Sequence, residues 1–212
     1  MKVNILLYDR VTALDAVGPY EVLSRLPGTE VLFVADRAGP VRADTGQLSL
    51  VAEASLDDAP TAEVVLVPGG YEPPVRPGPV HDWLRAADAS SAITASVCVG
   101  SLVLAAAGLL SGRRATTHWL AMDVLASFGA VPVASRTVVD GKYATAAGVS
   151  AGIDLALSLV DRVAGPLAAQ SIQLGIEYDP SPPFDAGSPA NAPDPIVAAL
   201  RANQDKIFRV AV

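Results

Sequence analysis

Cysteine occurs once in these 212 residues, at Cys98. A single cysteine excludes an internal disulfide and a structural zinc site built on thiolates. A free thiol is best preserved in a reducing compartment, so a cytoplasmic protein is expected. Histidine is almost as scarce: His81 and His118 stand far apart with no carboxylates at ligand spacing, and no metal is implied. Basic residues are few, 15 against 22 acidic ones for a net charge of −7, and they form no cluster. That argues against nucleic acid or an anionic membrane as a partner. Aromatic residues make up only 5% of a chain that is 51% hydrophobic, so the core has to be aliphatic. No apolar run approaches the length of a membrane span, and residues 1–8 are too short for a signal sequence. With no internal repeat and no separating linker, residues 1–212 are expected to form one soluble domain.

What the chain does have is short apolar runs alternating with helical patterns. Residues 3–8, 30–35, 63–67 and 93–97 read as buried strands. Helices are expected over 12–23, 81–89, 149–164, 167–178 and 196–208, and directly after Cys98 as far as Gly112. Pro19 is placed in the first turn of its helix, where proline is tolerated. Residues 41–53 alternate loosely and suggest antiparallel pieces at an edge, and residues 114–119 form a short strand leading into a helix through Phe128. Residues 131–133 and 137–146 read as strands, the latter joined by an Asp140-Gly141 turn. The proline-rich segments 71–79 and 179–195 are loops. Strands alternating with helices in this way indicate an α/β protein with a mainly parallel sheet.

Cys98 lies where the strand at 93–97 runs straight into the next helix. A tight strand-turn-helix junction pushes a side chain outward on a strained backbone, the geometry of a nucleophile elbow. The free N–H groups of the helix that starts there favour thiolate over thiol. A buried, inert cysteine is the competing reading. In an open parallel sheet the functional crevice lies at the carboxyl ends of the strands. Asp15, Gly69-Gly70 and Cys98 all follow strands and fall on that edge. Asp15 taken alone also reads as a helix-start acid attracted by the macrodipole, and Gly69-Gly70 as a turn needing positive φ. The glycines lack Walker and dinucleotide spacing, so no nucleotide or other cofactor is implied.

Motifs along nearly the whole chain resemble the DJ-1/PfpI superfamily, and within it the isonitrile hydratase branch. They include Leu14-Asp15-Ala16-Val17-Gly18-Pro19, Val67-Pro68-Gly69-Gly70, Ser96-Val97-Cys98-Val99-Gly100-Ser101-Leu102-Val103-Leu104, and Gly112-Arg113-Arg114-Ala115-Thr116-Thr117-His118-Trp119. Ala151-Gly152-Ile153-Asp154 and the run from Gln173 through Glu177-Tyr178-Asp179-Pro180 to Phe184 continue the match. The resemblance implies a flavodoxin-like three-layer sandwich of the class I glutamine amidotransferase type and a homodimer. It also implies a lyase that hydrates a small isocyanide to an N-formylamine through a cysteine thioimidate. Carried over, Cys98 is the nucleophile and Asp15 the general acid or base, with its pKa raised by burial and by the thiolate. Gly69, Gly70 and Val99 become the substrate-binding positions, the N–H groups of Gly70 and Val99 facing developing charge. The hydratase branch carries threonine where this chain has Val99. Two other branches remain open: ligand-sensing domains, and DJ-1-like stress or aldehyde-handling proteins that use a glutamate, for which Glu21 is the nearby candidate. His118 is read as a satisfied junction residue and His81 as solvated. Trp83, Trp119, Tyr71 and Phe184 fit pocket lining, core or interface.

Overall fold

The first strand, β1 (Lys2–Leu6), buries every residue after Lys2, the pattern of a strand covered on both faces. The structure, a computed structural model, describes residues 1–210. After β1 come α1 (Ala13–Leu23), β2 (Glu30–Ala35), the hairpin β3 (Gly39–Arg42) and β4 (Ser49–Ala52), β5 (Ala54–Ser55), β6 (Val64–Val67), α2 (Pro79–Ser90), β7 (Ile93–Val97) and α3 (Gly100–Ala106). The second half holds β8 (Arg114–Ala115), α4 (Met122–Ser127), β9 (Val131–Pro132), β10 (Thr137–Asp140), β11 (Tyr143–Ala146), α5 (Ala151–Ala164), α6 (Pro166–Gly175) and α7 (Asp194–Ala202).

Seven strands form the main sheet in the order β10-β11-β7-β6-β1-β2-β5. All neighbours are parallel except β10 and β11, and the register pairs Val3 with both Val31 and Val64, and Val67 with Ser96. β6, β7 and β11 are buried along their whole length, which their small and aliphatic residues permit, the one aromatic among them, Tyr143, giving its hydroxyl to Asp88. The chain leaves β1 toward β2 on one side and returns on the other at β6. The switch point of the sheet therefore lies at the carboxyl ends of β1 and β6, where ligand sites of such sheets form. The alternating residues after 41 do pair antiparallel, but as a separate two-stranded sheet, β3 with β4.

Several expectations shift. Pro19 is the seventh residue of α1, not in its first turn, so it offers no N–H to the carbonyl of Asp15. α3 spans only seven residues and stops well before Gly112. The β10–β11 loop is Gly141-Lys142, with Asp140 still paired to Tyr143. The terminal helix ends at Ala202. His81 is buried, with Nε2 2.8 Å from the carbonyl oxygen of Pro74, and is not solvated. Its helix α2 turns inward because Asp88 is buried as well and takes hydrogen bonds from Thr94 Oγ1 (2.6 Å) and Tyr143 Oη (3.0 Å). Lys142 Nζ completes that cluster at 3.1 Å, tying α2 to β7 and β11 at the end of the sheet away from Cys98.

α1 and α5 cross on the face over β7 with unusually small separations. A Cβ on Gly18 would stand 3.1 Å from Ile153, and one on Gly152 would stand 3.1 and 3.2 Å from Val97 and Pro19. Glycine at both crossings lets α1 press down on the sheet beside the strand that ends at Cys98. At the far end of the chain, Phe208 is buried edge-on to His118 at 5.7 Å, and Arg209 N–H donates to the carbonyl of Tyr71.

Candidate active site

Cys98 adopts φ +55°, a left-handed conformation that a side chain enters at a cost of roughly 1–2 kcal/mol. The surroundings hold it there from both sides. Its N–H donates to the carbonyls of Ala146 (3.1 Å) and Ala147 (2.9 Å), and its own carbonyl accepts from Thr117 Oγ1 (3.1 Å) and Ser101 Oγ (3.2 Å). Strain that is this over-determined is a mark of functional sites. The elbow fits because Gly100 lies against β6: a Cβ there would collide with the carbonyl oxygen of Val67.

Gly69 is the meeting point of the site. A Cβ on Gly69 would lie 2.7 Å from Asp15 Oδ2, 2.8 Å from Cys98 Cβ and 2.9 Å from the backbone nitrogen of Val99. Any larger residue has to displace one of the three. Gly69 also bonds the start of α1 with both of its backbone groups. Its N–H donates to Asp15 Oδ2 at 2.8 Å, and its carbonyl accepts from Thr12 N–H at 2.9 Å. The N–H of Gly69 is thus occupied by the aspartate. Gly70 pairs with Val11 in an isolated bridge, and a Cβ on it would meet Arg10 O at 2.6 Å and the Tyr8 ring at 2.9 Å.

Asp15 is fully buried, and among the described residues its Oδ1 has no N–H or O–H donor. The carboxyl faces the Cys98 thiol. Burial pushes its pKa up to about 7, against the Gly69 N–H and the Cys98 thiol, which pull it down, while the charge of Asp44 adds to the rise. Cys98 is also pushed well above the ordinary thiol range, by burial first and then by the charge of Asp15. The N–H groups of Val99 and Val149 point at the sulfur and oppose that rise. This corrects the expectation of a resting thiolate. A seven-residue helix supplies one effective N–H, and desolvation outweighs it. Two buried acids in contact do not both ionise, so Asp15 and Cys98 titrate as a pair. The pair holds two protons below about pH 7 and one above it.

Tyr8 and Asp44 complete the surroundings, and neither stood out in the sequence. Tyr8 donates its hydroxyl to the carbonyl of Pro68 at 3.0 Å. Burial and then the charges of Asp15, Cys98 and Asp44 hold its phenol above the usual range. One signal was available for Thr12, which with Asp15 makes a T-x-x-D helix-start pattern. Val149 acts through its backbone alone, so its side chain carried no signal. His118 caps the short turn at Trp119–Ala121 by accepting from Leu120 N–H at 3.3 Å, and burial lowers its pKa to about 4, so it stays neutral. Glu21 pairs with Arg25 at 2.6 Å on an exposed face. Phe184 is 77% exposed, Trp83 and Trp119 are half-buried, and the Tyr71 ring carries the Arg10 guanidinium at 3.8 Å.

The DJ-1/PfpI family model matches residues 1–162. Isonitrile hydratase of Pseudomonas putida is 44% identical over 203 residues, 95% of this chain and 89% of that protein. The HTH-type transcriptional regulator CdhR of Pseudomonas aeruginosa is 38% identical over 138 residues, 63% of this chain and 40% of the regulator. Among solved structures, a THiJ/PfpI family protein from Pseudomonas syringae superposes with a TM-score of 0.89 at 37% identity, covering 97% of this chain and 85% of the other.

Proposed function

The chain belongs to the DJ-1/PfpI family, and from that membership and the Cys98–Asp15 geometry we propose that it hydrates isocyanides to N-formylamines. The observation that carries the reading is a fully buried carboxyl that faces the sulfur of a strained cysteine, a burial that raises its pKa. Similarity to a hydratase over 95% of the chain supports the substrate class.

The residues divide the chemistry as follows. Asp15 as carboxylate takes the thiol proton, and the thiolate attacks the terminal isocyanide carbon, forming the S–C bond. The carbon lone pair left by that attack takes the proton back from Asp15, which yields a thioimidate. Asp15, again a carboxylate, then accepts a proton from water as it adds to the same carbon. Asp15 passes that proton to nitrogen, the C–S bond breaks as the hydroxyl proton of the adduct goes to sulfur, and N-formylamine leaves, so the balance is isocyanide plus water with the Cys98 thiol and Asp15 carboxylate restored. The N–H groups of Val99 and Val149 stabilise negative charge on sulfur at the start and end of the cycle. Gly69 holds Asp15 in place, and Gly70 lets the turn approach Tyr8.

Both directions of proton transfer require the singly protonated pair. Turnover and the alkylation of Cys98 by iodoacetamide are therefore expected to rise through an inflection near pH 7 and to hold a plateau above it. Stopped-time alkylation read by mass spectrometry from pH 5 to 9 tests this. An inflection at 8.5 or above would mean that Asp15 does not serve the thiol.

The same reading includes a homodimer in a reducing, cytoplasmic setting. Leu167 and Leu174 on α6 are 79% and 81% exposed, a cost for an isolated chain. Sedimentation at micromolar concentration is expected to give a dimer, and a monomer would overturn that part of the proposal.

A further inference from the structure

Helix α1 opens with Thr12-Ala13-Leu14-Asp15, a pattern in which the hydroxyl and the carboxyl normally cap the helix reciprocally. Here both partners are drawn away. Thr12 makes no side-chain cap bond, and its Oγ1 donates instead to Asp44 Oδ2 at 2.7 Å. Its N–H goes to Gly69 O, and Asp15 turns to Gly69 N–H and Cys98. Asp44 sits in the β3–β4 turn and is fastened at three points: Oδ2 to Thr12, Oδ1 to Thr45 N–H at 2.7 Å, and its own N–H to Val11 O at 3.0 Å. Val11 in turn bridges both Ala43 and Gly70, so the hairpin, the Gly69-Gly70 turn and the start of α1 share one residue.

We propose that Asp44 is a positioning residue for the Asp15–Cys98 pair: it holds the Thr12 hydroxyl off the helix start and lends its negative charge to the site, keeping Asp15 free and basic enough to serve the thiol. The proposal rests on the cysteine–aspartate reading given above. The groups that face Asp15 are the Cys98 thiol from the elbow, the Tyr8 phenol from the end of β1 and the Asp44 carboxylate from the hairpin. The charges on adjoining elements are engaged elsewhere. Arg10 stacks on Tyr71 and pairs with Glu72 at 3.5 Å, Asp154 of α5 pairs with Arg136, and His118 is neutral. Among the described residues, Asp44 is the carboxyl tied by a hydrogen bond to the start of α1 whose charge also raises the pKa of Asp15.

The test uses Cys98 alkylation as a function of pH, with isocyanide turnover measured in parallel. Asp44→Asn removes the charge and keeps one oxygen, which can serve the Thr12 hydroxyl while the exposed Thr45 N–H turns to water. Its inflection is expected to fall from near 7 by about half to one pH unit. A less basic Asp15 takes the thiol proton less often, so the plateau rate falls by a similar factor, roughly 3- to 10-fold. Thr12→Val keeps the charge, releases its anchor and is expected to give a smaller shift of the same sign. A packing role alone would lower thermal stability while leaving inflection and plateau in place, and that result in Asp44→Asn would overturn the proposal. If wild-type protein turns over no isocyanide yet Asp44→Asn moves both quantities, the hydratase reading fails and this one stands.

Discussion

Cys98→Ser is expected to abolish isocyanide consumption while leaving the fold intact. The substitution keeps size, the φ of +55° and the backbone bonds to Ala146, Ala147 and Thr117, and changes only the nucleophile. A serine hydroxyl is far harder to ionise than a thiol, and Asp15 at about pH 7 is too weak a base to ionise it. The measurement is loss of isocyanide with appearance of N-formylamine, next to a circular dichroism spectrum. Brief acid quenching of the wild type in the presence of substrate should add the mass of one isocyanide at Cys98. Turnover that survives in Cys98→Ser would remove the cysteine from the mechanism. A wild type that binds isocyanides without converting them would favour the ligand-sensing alternative over the hydratase reading.

Asp15→Asn is expected to separate activity from stability. A carboxyl with a pKa near 3.8 in the unfolded chain and about 7 in the folded one is bound more tightly by its proton in the folded state. Between those values the folded chain holds the extra proton, so stability falls as pH rises from about 4 to 7 and then levels off. The difference, on the order of 4 kcal/mol, is a penalty present at and above neutral pH. Asparagine removes the ionisation while its amide oxygen still accepts from Gly69 N–H. The variant should melt higher than wild type at pH 8, with the two converging near pH 4. Its turnover should fall by about 10²–10⁴-fold, the usual worth of a positioned acid–base group. Cys98 in this variant should alkylate only as pH approaches the thiol's own raised range. Equal melting temperatures at pH 8 would show that the burial of Asp15 carries no such penalty.

Much of this arrangement is written locally. The runs around Val3, Val31, Val64 and Ile93 are too apolar to be anything but two-sided strands, and a sheet built on them must bring Asp15, Gly69 and Cys98 to one edge. The resemblance to the family then implies the roles proposed for them. What stayed hidden depends on contacts between distant segments. Asp44 lies in the polar turn between β3 and β4, and it reaches the site only through bonds to Thr12 and Val11, residues more than thirty positions earlier. His81 looks like a surface residue until Pro74 folds back to meet it. The run from Leu102 to Leu110 is apolar on both sides of the end of α3, so only Gly108, at φ +85°, marks that end in the sequence. The protonation of Cys98 is not legible in the sequence: helix-start electrostatics follow from order along the chain, whereas the desolvation that keeps the thiol protonated arises only in the packed structure.

The left-handed backbone at position 98 also offers a way to sort relatives of this protein. Glycine takes the same φ without the roughly 1–2 kcal/mol penalty that cysteine meets there, so on the proposed mechanism the sulfur is what offsets that penalty. A lineage that stopped doing chemistry and kept only ligand binding would gain by glycine or asparagine at 98 and by an uncharged residue at 15. On the proposed mechanism, a relative that turns substrate over is expected to carry cysteine and aspartate together at these two positions.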